Sequence, residues 1–256
     1  MRSIIIRLLD IFRFAVNDFK SKYAGSAFGA LWAIAEPLVT VAIYRFVYAV
    51  AFGGNDISGI PYYLWLSVGL ASWMFISDGL RNVCSSFREY SFLVKKMRFN
   101  KGILPDVRCV SSLFSHVLFL AIVVIAAALN HISISGFLGL IAMVIICYAY
   151  VLSFGRVMSL LCGYYKDVQN ILSVALNIGF WVTPIFWNAD LLDTNIKRII
   201  ELNPAALIAE GYRNTLLFGK FIEPVKLFYL ISVIIIIYII SKILEKKMLP
   251  NIADKL

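Results

Sequence analysis

The chain is built on apolar stretches of about 20 residues, the length a helix needs to cross a bilayer. The first lies within KYAGSAFGALWAIAEPLVTVAIYRFVYAVAFGG, residues 22–54. It opens basic and rich in small residues, passes through a Glu36-Pro37 step, and continues as an apolar and aromatic run broken by Arg45. Counting this run at 29–52, further stretches follow near 61–83, 107–130, 134–162, 168–187 and 225–244. Backbone in lipid must satisfy its own hydrogen bonds, and none of these runs alternates with a period of two. They therefore predict helices rather than a barrel. Only 15% of residues are charged and 61% are hydrophobic, against about 25% charged in soluble domains. The expected fold is all-α: one polytopic membrane domain over residues 1–256 with about six transmembrane helices.

Charge fixes the expected orientation. With both ends on one side, eighteen of the 24 Lys and Arg residues fall on that side against seven acidic residues. The opposite loops carry five basic and six acidic residues. Basic residues collect on cytoplasmic loops, so both termini are expected inside. The net charge of +9 is accounted for in this way, and no basic-aromatic module for nucleic acid remains once the spans are removed. Cys84, Cys109, Cys147 and Cys162 lie in or beside apolar runs with no CxxC pair, the pattern of free buried thiols. His116 and His131 lack partners at metal spacing and are read as packing or interface residues.

Three connecting segments carry structure of their own. Residues 1–24 hold an amphipathic helix: Ile4, Ile5, Leu8, Leu9, Ile11, Phe12, Ala15, Val16 and Phe19 form a stripe at helical spacing. Too charged to span, it suits the membrane interface. Arg7, Asp10 and Arg13 break its apolar stretch and no small-residue cleavage site follows, so it is not read as a signal peptide. Residues 85–105, SSFREYSFLVKKMRFNKGILP, mix Phe87, Phe92, Leu93, Val94, Met97 and Phe99 with bases. That mixture predicts a short helix docking into a partner's groove or lying on anionic lipid. Residues 188–223 form the longest outer connection. Two short helices are expected there, at 193–202 and 204–217, with Pro204 at a first-turn position. The stripe Ala206, Leu207, Ala209, Tyr212 and Leu216 suggests a re-entrant hairpin.

With Arg81, Arg108, Arg156, Lys226 and Lys242 counted with the flanking loops, three ionisable residues are left within the spans: Glu36, Arg45 and Asp78. Each costs about 2.5–3.5 kcal/mol at a helix centre, so each should face protein or water. Glu36 and Asp78 lie toward the inner side, within expected reach of Arg81. Arg45 lies nearer the outer side, facing a channel or Glu210.

Four motifs, in order, resemble the permease subunit of bacterial type-2 ABC exporters of polysaccharide, the branch that exports O-antigen, capsule and teichoic acid. Lys22-Tyr23-Ala24-Gly25-Ser26 with Gly29-Ala30-Leu31-Trp32 resembles that family's approach to its first span. Tyr165-Lys166-Asp167-Val168 resembles the step before its fifth span. Phe180-Trp181-Val182-Thr183-Pro184-Ile185 resembles that span's outer end. Leu202-Asn203-Pro204-Ala205 with Tyr212-Arg213 resembles its outer hairpin. The chain departs from the pattern at Phe28, usually a small aliphatic, at Lys22 and Lys166, usually Arg, and at Glu36, which many O-antigen permeases replace by Asn.

The resemblance implies an inner-membrane permease that pairs with a second copy of itself and with two ATP-binding subunits. No GxxxxGK[ST] loop is present, so ATP and Mg2+ are expected on the partner subunits, and neither cofactor nor metal on this chain. The implied cargo is an undecaprenyl-linked polysaccharide, most simply O-antigen. Capsular polysaccharide, teichoic acid, or a drug or small lipid are the alternatives. A membrane glycosyl- or acyltransferase would need a carboxylate or His cluster at one face, and the Asp and His residues are scattered. Coupling to the ATPase is expected at Phe92, Lys95, Lys96 and Arg98 (within residues 92–101), with Tyr23 near the inner mouth. Sugar rings present apolar C–H faces that stack on aromatics with few fixed hydrogen bonds. The expected channel lining is therefore Trp32, Tyr44 and Tyr48 on the first span, with Phe180, Trp181 and Phe186 on the fifth; Trp187 is a weaker candidate. The same rings also suit an interfacial aromatic belt.

Overall fold

The computed structural model describes residues 2–52, 56–57, 59–96, 100–132, 134–189 and 192–256. Among these the regular structure is helical, with an isolated bridge between Ile57 and Ile60. The helices are α1 (Arg2–Lys22), α2 (Trp32–Phe52), α3 (Tyr62–Glu89), α4 (Ser91–Lys96), α5 (Leu104–Leu129), α6 (Phe137–Tyr164), α7 (Asp167–Val182), α8 (Thr194–Glu201), α9 (Pro204–Phe218), α10 (Pro224–Met248) and α11 (Ile252–Lys255). Six of them occupy the six expected spans. Residues 101–129, 137–164 and 224–255 are long and apolar enough to cross a membrane by length and composition. At 16 residues, α7 rises only about 24 Å, so the turn at 183–187 must complete its passage.

The bundle is organised around α3. Leu64, Leu66, Leu70, Ala71, Ile76 and Leu80 are buried on every side of it. Its small residues make that possible. A Cβ on Gly79 would lie 2.7 Å from Val151 of α6, and one on Gly155 of α6 would lie 2.7 Å from Val83. A valine of each helix thus packs onto the bare backbone of a glycine in the other, a close approach that small residues permit in membranes. Two serines of α3 are satisfied within the helix: Ser67 donates to the Tyr63 carbonyl (2.5 Å) and Ser72 to the Gly69 carbonyl (2.7 Å).

Helix ends follow local chemistry. Pro105 and Asp106 open α5, where a missing N–H and a negative charge are both favourable. Thr183 precedes Pro184 and is extended (ψ 134°), which ends α7. The Asn203 side chain accepts from the Ala205 N–H (3.0 Å) and Pro204 starts α9. Gly219, at φ +63°, closes α9 in the left-handed region. Both hairpin helices lie within a residue of their expected bounds. The stripe of Ala206, Leu207, Ala209, Tyr212 and Leu216 is wholly buried against α3 and α6, and α9 is part of the protein body.

The four basic segments, namely α1, the connection between α3 and α5, the α6–α7 junction and the C-terminal residues after 241, gather at one end of the bundle, called here the basic end. There α1 rests on α5, with Ile11 and Ala15 buried against Val107. The expected stripe of α1 divides: Leu8, Leu9 and Phe12 stay exposed, a face suited to lipid. The hairpin of α8 and α9 marks the opposite end.

Candidate functional site

At the hairpin end, the aromatics of α2 and α7 meet. Tyr44 lies 5.6 Å from Phe180 and stacks on Phe186 (6.1 Å, 16°). Phe180 and Phe186 are 5.7 Å apart, and Trp181 stands edge-on to both, at 5.7 and 5.1 Å. Trp73 of α3 backs the group against Phe180 (5.9 Å). Trp181 is 62% exposed while Tyr44, Phe180 and Phe186 are half-buried, so the cluster opens to the outside chiefly through Trp181. Tyr44, Phe180, Trp181 and Phe186 form one wall. Trp32 is not part of it: at the first turn of α2 it is edge-on to Phe28 (5.7 Å), and both rings are exposed. The side chain of Tyr48 lies outside the described residues.

The wall is fixed from behind by the hairpin. Tyr62 donates to the Phe186 carbonyl (2.7 Å) and the Trp187 indole to the Trp181 carbonyl (3.1 Å). Asn203 donates to the Thr183 hydroxyl (2.9 Å). Buried Arg213 donates to the Pro184 (2.7 Å), Ile185 (2.6 Å) and Trp65 (3.2 Å) carbonyls, with its guanidinium 3.4 Å from the Trp65 ring centroid. Its space is cut from α3: a Cβ on Gly69 would lie 2.2 Å from Nη2. The Thr-Pro-Ile and Asn-Pro-…-Arg motifs, 20 to 29 residues apart, are thus one hydrogen-bonded unit. A planar five-donor cation suits this role, since the turn's carbonyls lack helical partners.

The intramembrane charges are separate from this wall. Arg45 lies over the Tyr63 ring (4.9 Å), and Tyr63 in turn donates to Asn130 (2.9 Å). Glu210, a suggested partner of Arg45, is instead held with Glu201 by Lys226, each at 3.0 Å. Asp78 pairs with Arg81 (3.9 Å), and Arg81 reaches Asn177 on α7 (3.2 Å). Glu36 lines a cavity of about 40 Å³ with Lys22, Tyr23, Asp78, Asn82 and Ser115. Tyr23 is one of the residues lining this cavity, within 3.5 Å of the Ser115 hydroxyl.

At the basic end, α4 presents Phe92 and Lys95 outward and buries Val94. Arg98 and the side chain of Lys96 lie outside the described residues. Around α4 runs a charged network that sequence reading left as separate loop charges. Arg108 of α5 donates to Asp18 of α1 (3.0 and 3.3 Å) and pairs with Glu89 of α3. Tyr90 donates to Asp18, and burial together with that carboxylate raises its phenol pKa. Nearby, Arg156 of α6 grips Asp106 at 2.6 and 2.7 Å. An arginine inside an apolar run needs a buried partner, and that was the available signal for Arg156. His116 donates or accepts through Nε2 at the Tyr212 hydroxyl (3.1 Å) and stacks on Phe75 (4.7 Å), a packing role. The four cysteines are free and buried.

Residues 11–217 match the ABC-2 type transporter family. The chain is similar to two Klebsiella pneumoniae proteins named O-antigen export system permease protein RfbA. One is 26% identical over 220 residues, covering 83% of this chain and 82% of that protein. The other is 23% identical over 233 residues, covering 89% and 88%. A Myxococcus xanthus protein of the same name is 24% identical over 200 residues, covering 77% and 76%. With its six long helices and its apolar candidate spans, the chain belongs to the ABC-2 type transporter family, as a multi-pass membrane permease.

Proposed function

We propose that two copies of this chain form the channel of an ATP-driven exporter that moves a lipid-linked polysaccharide, most simply O-antigen, across the bacterial inner membrane. ATP and Mg2+ bind to two partner subunits, which dock at the basic end near α4. Both termini of the chain are cytoplasmic. The names of the relatives support the glycan as cargo. The observation that carries the reading is the aromatic wall of half-buried Tyr44, Phe180 and Phe186 with exposed Trp181 at its edge. A sliding sugar chain needs apolar platforms without fixed hydrogen-bond partners, because strong directional bonds would arrest it. The turn that carries Phe186 is held by Arg213 and Tyr62 through backbone carbonyls, so the Phe186 ring is positioned without any polar contact of its own.

In a strain depleted of this permease, complementation with Trp181→Ala or Tyr44→Ala is expected to lower the rate of O-antigen appearance at the cell surface. Base–aromatic platforms lose about 1–3 kcal/mol per ring when truncated. A comparable loss per sugar contact corresponds to about 5- to 150-fold in rate. Unchanged export in both variants, at equal permease abundance, would remove the wall from the pathway.

A further inference from the structure

The two described ends of the α3–α5 connection rest on the same piece of chain. Val94, the inward residue of α4, is 1% exposed. It packs in a cluster with Phe87, Leu104, Leu160 and Ile252. Ile252 of α11 is fully buried. It fills a notch in α6 that exists because residue 163 is glycine: a Cβ there would lie 2.8 Å from Ile252 Cδ1. Toward α5, a Cβ on Gly102 would lie 2.9 Å from Glu245 and 3.4 Å from Leu249. The segment is anchored in turn where Tyr164 donates to the Met248 carbonyl (2.9 Å). A six-residue helix such as α4 cannot hold itself in water, where isolated helices need about 12–15 residues. Its position must come from what it packs on, and one side of that support is Ile252.

We propose that residues 249–256 are the support that positions α4, and that α4 and α11 together form the docking surface for the ATP-binding subunit. The inference rests on the reading that this subunit docks at α4. The surface offers an exposed Phe92 beside Lys95 on α4, with Asp254 and Lys255 exposed on α11. It fits a groove that is apolar at its centre and mixed in charge at its rim. Ile252 is a positioning residue here: its side chain is buried and meets the partner only through α4.

The test uses the full permease co-expressed with its ATP-binding subunit. Truncating a buried Ile to Ala leaves a cavity. In Ile252→Ala, amide deuterium uptake across residues 91–96 should accelerate about tenfold or more, while uptake across 62–80 of α3 stays unchanged. Recovery of the ATP-binding subunit on the permease should fall with it, and Ile252→Leu should restore both. Unchanged uptake at 91–96, uptake that also rises across 62–80, or full recovery of the subunit despite faster uptake at 91–96 would each overturn the proposal. Lys95→Glu with Lys96→Glu separates this from the docking reading. It should reduce subunit recovery without changing uptake at 91–96. Full recovery in that variant would mean that the subunit docks elsewhere.

Discussion

Arg213 shows what a single side chain decides in this protein. Its three donors end on the carbonyls of Trp65, Pro184 and Ile185, so one residue of α9 ties the turn after α7 to the start of α3. In the sequence, Asn203, Pro204 and Arg213 stood out as a motif, and the capping role of Asn203 was legible because Asn-Pro before an apolar stripe is a helix start. The partners of Arg213 were not legible, since backbone carbonyls have no residue type to recognise. Replacing Arg213 by Leu should leave the Pro184 and Ile185 carbonyls of the turn without donors in a buried site, at about 1–3 kcal/mol for each unsatisfied group. A lysine can replace only part of a planar fork. Thermal unfolding in detergent should therefore rank wild type above Arg213→Lys and Arg213→Lys above Arg213→Leu. Equal midpoints for all three would show that the turn is held by other contacts.

Among the elements, the helices themselves were legible and their ranking was not. Apolar length gave the six long helices, and caps gave the two of the hairpin, because both signals are local. That α3 is the centre was hidden. Its Ser, Gly and Ala residues lower its apparent apolarity, and Asp78, Arg81, Arg88 and Glu89 give its inner half a polar look. Those small residues are what let α5, α6 and α9 close around it. By contrast α2, the most conspicuous run in the sequence, keeps a broad exposed apolar face, including Leu38, Val39, Ile43, Phe46 and Val50. Conspicuous apolarity there marks a surface for lipid or a second subunit rather than a core. The contact of α3 with α6 should be the least tolerant of added volume. Gly155→Leu would drive its side chain into Val83 and cost about 1–3 kcal/mol or more, read as a lower unfolding midpoint in detergent. The same change at Gly25, where no atom lies within 4 Å of an added Cβ, meets only the strain of its positive φ (82°), about 1–2 kcal/mol. If Gly155→Leu proved as stable as wild type, the close α3–α6 approach would have to be relaxed in the membrane.

For the whole molecule, the charge pattern and the fold meet at one point. The basic segments are far apart in sequence, yet α1, the 85–105 connection, the α6–α7 junction and residues 245–256 pack on one another through Asp18–Tyr90, Arg88–Cys162 and Val94–Ile252. Helices of alternating direction bring this about, and an odd number of spans would have put α11 at the hairpin end. The common basic end is what makes the orientation a single two-way choice. Under the proposed function, the excess of Lys and Arg at that end places it in the cytoplasm. The buried state of all four cysteines makes the choice measurable with little background. A cysteine placed at exposed Lys220, in the turn after α9, should react with a membrane-impermeant maleimide in spheroplasts with an intact inner membrane. One at exposed Lys247, near the end of α10, should react only after that membrane is opened. The reverse pattern would invert the protein and place α4 away from ATP. Labelling of both sites in intact spheroplasts would mean that α10 does not cross the membrane, despite an apolar stretch long enough to do so.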